Sequence, residues 1–167
     1  MKKLLIASSV LSLVLASAAV YAAPSVSATA KVKIVPAISI TETTQLDFGS
    51  VIPAGTAGTV AITASASPTR TPTTVTVIPA SSFAAGKLNV TGDTTATYAI
   101  TLPANGVVTV TGSGTPMNVN NFVSTPSGTG TLSGGTQDIY IGATLSVGAN
   151  QATGSYTGTY TVSVAYN

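Results

Sequence analysis

Apolar and polar residues alternate along the stretch Gly154-Ser155-Tyr156-Thr157-Gly158-Thr159-Tyr160-Thr161-Val162-Ser163-Val164-Ala165-Tyr166-Asn167. Tyr156, Tyr160, Val162, Val164 and Tyr166 share one parity, and Ser155, Thr157, Thr159, Thr161 and Ser163 share the other. Period-two spacing in β-branched and aromatic residues predicts a half-buried strand, because a helix would scatter the same residues around its axis. The same pattern governs Ala23 to Val35. There Val26, Ala28, Ala30, Val32 and Ile34 share one face, and Ser25, Ser27, Thr29, Lys31 and Lys33 share the other. Pro36 interrupts this run before Ile38 and Ile40 resume it. A proline inside a strand pattern indicates an edge or a change of sheet. Residues 25–35 and 37–41 are therefore expected to form two separable strands, with one bulged first strand as the alternative.

Between these ends the alternation recurs in short pieces. Leu46 and Phe48, Val60 and Ile62, Val75 and Val77, Leu88 and Val90, and Tyr98 with Ile100 and Leu102 each mark a strand. Asn105-Gly106 predicts a hairpin turn, with Val108 and Val110 following it. Residues 112–136 read as loop-rich, anchored by Met117, Val119 and Phe122. Ile139, Ile141, Ala143, Leu145 and Val147 then alternate without a break. No window after the amino-terminal run supports a helix. Short strands separated by turn signals predict an all-β fold, an antiparallel immunoglobulin-like sandwich.

The amino terminus departs from this pattern. Lys2 and Lys3 precede an apolar run from Leu4 to Val20, followed by Val20-Tyr21-Ala22. This is the layout of a secretory signal peptide over residues 1–22, cleaved after Ala22 or, alternatively, after Ala18. The run is short for an uncleaved span, which needs ~20 apolar residues. Cleavage after Ala22 removes 22 of the 167 residues and leaves 145, enough for one domain with a core. It also removes Lys2 and Lys3. Lys31, Lys33, Arg70 and Lys87 then balance Glu42, Asp47, Asp93 and Asp138, so the net charge falls from +2 to zero. The basic character belongs to the leader and does not point to nucleic acid.

Composition narrows the chemistry. The chain has no histidine and no cysteine, which excludes an imidazole base, a thiolate and a soft metal site. No glycine-rich loop carries the lysine of a phosphate cradle. No cofactor and no enzymatic activity are expected. Charged residues make up 6% of the chain against a typical ~25%, and the expected outward faces are threonine and serine. The Asn89-Val90-Thr91 sequon is read as chance.

Three residue features carry a resemblance: the alternating last strand, the aromatic penultimate residue Tyr166, and Gly154 fourteenth from the end. In these the chain resembles pilins assembled by periplasmic chaperones and outer-membrane ushers. Leu46-Asp47-Phe48-Gly49 and the Gly154–Tyr166 ending are also similar to spore coat protein U-like secreted domains. They are closer still to a bacterial family of uncharacterised secreted domains with the same glycine- and tyrosine-rich ending. Many such pilins hold a disulfide, which this chain cannot form. The resemblance implies a sandwich lacking one strand, with Gly154, Tyr156, Tyr160, Val162, Val164 and Tyr166 along the gap. It implies an amino-terminal extension, residues 23–35, whose Val26, Ala28, Ala30, Val32 and Ile34 fill the gap of a neighbour; residues 36–167 form the domain. The implied partners are copies of itself or related subunits, with a periplasmic chaperone and an outer-membrane usher. The implied location is the periplasm in transit and then a cell-surface fibre. The alternative is a self-complemented surface or matrix domain that binds carbohydrate or protein; the absence of tryptophan gives little support to a sugar site.

Overall fold

The computed structural model describes residues 22–167, so the signal-peptide expectation falls, but for Ala22, outside the described residues. The chain divides into two units, Met1–Lys33 and Ile34–Asn167. In the first, residues 22–33 are exposed throughout and form no strand. Val26 and Val32 are 92% and 87% exposed; Ile34, which opens the second unit, is 90% exposed. The expected strand over residues 25–35 is therefore not formed. Alternation shows that a segment suits a pleated surface, and a strand also needs a ladder partner for its backbone groups. No such partner pairs with it among the described residues.

The second unit is an antiparallel, all-β sandwich without helices among the described residues. Its strands are β1 (Ser39–Thr44), β2 (Val51–Ile52), β3 (Gly58–Ile62), β4 (Arg70–Thr73), β5 (Thr76–Val77), β6 (Gly86–Thr91) and β7 (Thr97–Thr101), followed by β8 (Val108–Gly112), β9 (Met117–Thr125), β10 (Thr129–Thr131), β11 (Thr136–Val147), β12 (Tyr156–Thr157) and β13 (Ser163–Tyr166). The large sheet runs β1-β6-β11-β9-β8-β12, with β3 on β11 and β4 on β3. A smaller sheet runs β10-β7-β13, and β2 pairs with β5.

The twelve-residue β11 is the spine. Its first half pairs with β6, its second half with β3, and β9 covers its other edge. Ile139, Ile141, Ala143, Leu145 and Val147 all point inward and are buried, as their spacing predicts. Two apolar clusters result. One gathers Val60, Val108, Met117, Val119, Leu145 and Val147. The other gathers Leu88, Val90, Tyr98, Ile100, Ile139 and Ile141. Phe122 and Tyr160 pack against both, with ring centroids 5.3 Å apart.

Three sequence expectations are corrected here. Residues 117–125 form the nine-residue β9, not loop. The period-two signal is lost there because the β9–β11 register shifts between Gly142 and Thr144, which changes which residues face inward. Asn105-Gly106 does form a turn, with Gly106 at φ 80°, but β7 and β8 do not pair with each other. The turn carries the chain from the small sheet to the large one. It is held by Gly106 N donating to Asn120 Oδ1 and Asn121 N donating to Asn105 Oδ1, both at 2.7 Å. Finally, the ending expected as one strand is two: β12 pairs with β8 and β13 pairs with β7.

Candidate functional site: a groove over the open core

The split between β12 and β13 leaves residues 158–162 in no ladder. Facing this stretch, the chain from Glu42 to Pro53 forms the opposite wall of a groove of about 980 Å³. The floor is Val108, Val110, Met117, Val119, Leu145 and Val147, which is the first apolar cluster seen from outside. The groove therefore opens onto the core itself. Its walls meet at one end, where Asn150 N donates to Ala54 O at 2.8 Å.

The first wall is built by Leu46-Asp47-Phe48-Gly49. Asp47 and Ala84 exchange backbone hydrogen bonds at 3.0 and 2.9 Å. Asp47 Oδ1 accepts the amide of Gly49 at 2.8 Å, a local turn that aspartate side chains favour. Gly49 sits at φ 71°, a left-handed conformation that costs glycine little. Arg70 then fastens the turn. Its Nη1 donates to Phe48 O at 3.1 Å and to Ser81 Oγ at 3.0 Å; its Nη2 donates to Ile78 O at 2.8 Å. The guanidinium also lies over the Phe83 ring, 4.6 Å from its centroid. A planar fork with several donors suits this task in a way a lysine ammonium does not.

The second wall begins at Gly154, whose φ is 146°. A Cβ there would run into the Ser113 hydroxyl, which itself donates to Thr153 O at 2.7 Å. Tyr156 donates to Ala152 O at 2.8 Å and accepts from Gln151 Nε2 at 3.0 Å, which fixes the entry to β12. Tyr160 ends the groove. Its hydroxyl is buried and has no hydrogen-bond partner among the described residues. Burial, with the nearby Glu42 carboxylate, pushes its pKa up to about 12.

Of the residues the sequence singled out, Gly154, Tyr156 and Tyr160 line this groove. Val162, Val164 and Tyr166 do not; they pack against the second apolar cluster. Val26, Ala28, Ala30, Val32 and Ile34 are all exposed. Sequence reasoning missed Arg70, Glu42 and Met117 as parts of the site. Arg70 left one signal, being the single arginine of a chain poor in charge. No group of three or more histidine, cysteine, aspartate or glutamate residues among the described residues could hold a metal ion.

The fold and groove define a class, an antiparallel β-sandwich domain whose core is open along one side. The chain belongs to the family described as "Domain of unknown function (DUF4402)", whose model matches residues 38–166. No curated protein and no solved structure matches the chain.

Proposed function

We propose that the protein is a structural subunit of a bacterial surface fibre, joined head to tail by insertion of residues 23–35 of one copy into the groove of the next. One observation carries this reading. The same chain has a groove floored by its own core and an exposed segment whose apolar face suits such a floor. The unladdered backbone of residues 158–162 gives an incoming strand a line of hydrogen-bonding groups, as in strand addition at a sheet edge. Residues 26–34 would extend roughly 30 Å at ~3.3 Å per residue. Burying Val26, Val32 and Ile34 would contribute roughly 1.5–3 kcal/mol each before ordering costs. A head-to-tail contact that does not close into a ring grows as a fibre. On this reading the leader directs export, a chaperone strand covers the groove in the periplasm, and an outer-membrane usher passes subunits to the surface.

The test is a detergent gel of the cell-surface fraction, unheated and heated, for the wild type and for a deletion of residues 23–35. The expected result is a ladder in the unheated wild-type lane that collapses on heating, and monomer alone for the deletion. A wild-type monomer in both lanes, or a ladder that survives the deletion, overturns the proposal.

A further inference from the structure

Asn105-Gly106 is the one Asn-Gly pair of the sequence. Asparagine before glycine is chemically labile, because glycine has no Cβ to keep its backbone nitrogen away from the asparagine side chain. That nitrogen, once it has lost its proton to water, can attack Asn105 Cγ. A C–N bond forms, the bond from Cγ to Nδ2 breaks, and ammonia leaves. Water then opens the cyclic imide to aspartate or isoaspartate. The only co-reactant is water, and both residues are exposed to it.

Every group this reaction needs is held elsewhere in the fold. The Gly106 amide donates to Asn120 Oδ1 at 2.7 Å. Asn105 Oδ1 accepts the amide of Asn121 at 2.7 Å, and Asn105 Nδ2 donates to Asn121 Oδ1 at 3.3 Å. The holding groups come from the irregular point of β9. There Asn121 and Phe122 lie between the partners of Thr144 and Gly142, where β11 has Ala143 alone. Asn121 takes φ 52°, a left-handed conformation that asparagine tolerates better than most residues. The bulge thus turns the consecutive Asn120 and Asn121 toward one turn, where a regular strand would send them to opposite faces.

We propose that Asn105 is a latent deamidation site, closed while the β9 bulge grips the turn and open whenever that grip is lost. The change is one-way. Isoaspartate adds an atom to the backbone path and breaks the spacing that lets Gly106 reach Asn120. Aspartate gives up the Nδ2 donor and adds a negative charge to the turn. The turn leads directly into β8, whose Val108 and Val110 floor the groove. A chain left open too long therefore carries a permanent change at the entry to that floor, and a chain that folds promptly does not. The grip depends on β9 and the turn alone, whatever fills the groove.

The experiment incubates the purified protein in mildly alkaline buffer, with and without denaturing urea, and follows the peptide containing Asn105 by mass spectrometry. The expected result is loss of the amide in urea, and in buffer a loss slower by roughly tenfold or more, the least that three hydrogen bonds opening together give. Conversion of the native protein then tracks its open fraction. Asn120→Ala, verified as folded by far-UV circular dichroism, frees the Gly106 amide and should speed conversion in buffer. Asn120→Asp restores an acceptor and should bring the rate back toward wild type. Equal rates with and without urea overturn the protection, and no conversion in urea overturns the site. An unchanged rate in folded Asn120→Ala overturns the role of the bulge. Deuterium exchange of the Gly106 amide in the wild type needs no variant: exchange as fast as in an unstructured chain overturns the grip, and slow exchange supports it.

Discussion

Tyr166 donates its hydroxyl proton to the carbonyl oxygen of Pro36 at 2.9 Å, and the same hydroxyl accepts the amide of Asp93 at 2.7 Å. One side chain thus ties the last strand to the approach to β1 and to the turn before β7. Tyr166→Phe keeps the ring and leaves both partners unanswered. An orphaned polar group costs about 1–3 kcal/mol where it is cut off from water. The expected outcome is a lower urea midpoint with an unchanged slope.

Arg70 makes three hydrogen bonds across the first groove wall, to Phe48, Ile78 and Ser81. Arg70→Lys keeps the charge and loses the fork, so it should lose most of what Arg70→Ala loses, on the order of 1.5–3 kcal/mol for hydrogen bonds to a charged group. Capture of a peptide of residues 23–35 by the groove should weaken in both variants. Full capture by Arg70→Ala would show that the wall stands without its clamp.

Tyr160 behaves in the opposite sense to Tyr166. Its hydroxyl is buried without a partner, so Tyr160→Phe is expected to leave stability unchanged or raise it by about 1 kcal/mol. The folded-state pKa near 12 lies above the ordinary 10.0. Unfolded chains therefore ionise first; the Tyr160 contribution to stability is complete below pH 10.0 and is lost as pH rises through about 12. Absorbance titration should show a late-ionising tyrosine that is missing in Tyr160→Phe.

The Lys87–Asp138 pair sets two further pH edges. The hydrogen bonds from Lys87 and then Asn89 hold Asp138 below its ordinary 3.8, and the hydrogen bond to Asp138 raises Lys87 above its ordinary 10.5. The Asp138 contribution is present above 3.8 and lost as pH falls through the depressed value. The Lys87 contribution is present below 10.5 and lost as pH rises through the raised value. Both groups are about one-third exposed, so the effect is small and salt-sensitive. Lys87→Gln should flatten the acid edge of the pH–stability curve at low salt and change it little at high salt.

Val32 tests assembly apart from folding. It is 87% exposed, so Val32→Asp should leave the unfolding free energy of the monomer within about 0.5 kcal/mol of wild type. In the proposed fibre the same carboxylate would enter an apolar floor. The expected outcome is a folded protein whose ladder is shortened or lost on an unheated gel.

The spine was legible because Ile139 to Val147 alternate without a break and each faces one core. The sandwich followed from such runs and the turns between them. The two-part ending was not legible, because Tyr156 and Val164 share a parity whether they belong to one sheet or two. β9 was hidden because it carries an extra residue of its own: it advances from Asn120 to Val123 while β11 steps only between Thr144 and Gly142, so its inward parity changes midway. The groove was half visible: Gly154, Tyr156 and Tyr160 declared themselves through the ending, while Arg70 acts from the start of β4, between Pro68 and Pro72, and reaches Phe48 only in three dimensions. Long-range side-chain-to-carbonyl bonds leave no periodic trace in a sequence.

The pairing of β13 with β7, together with the hook from Tyr166 to Pro36, also bears on time. A chain emerges amino terminus first, and β7 waits for one of its two neighbours until residues 163–166 have appeared. The small sheet therefore cannot close before residues 163–166 have been made. The order of synthesis thus sets an order of closure: the large sheet can pair without β13, while Val164 and Tyr166 reach the second apolar cluster last.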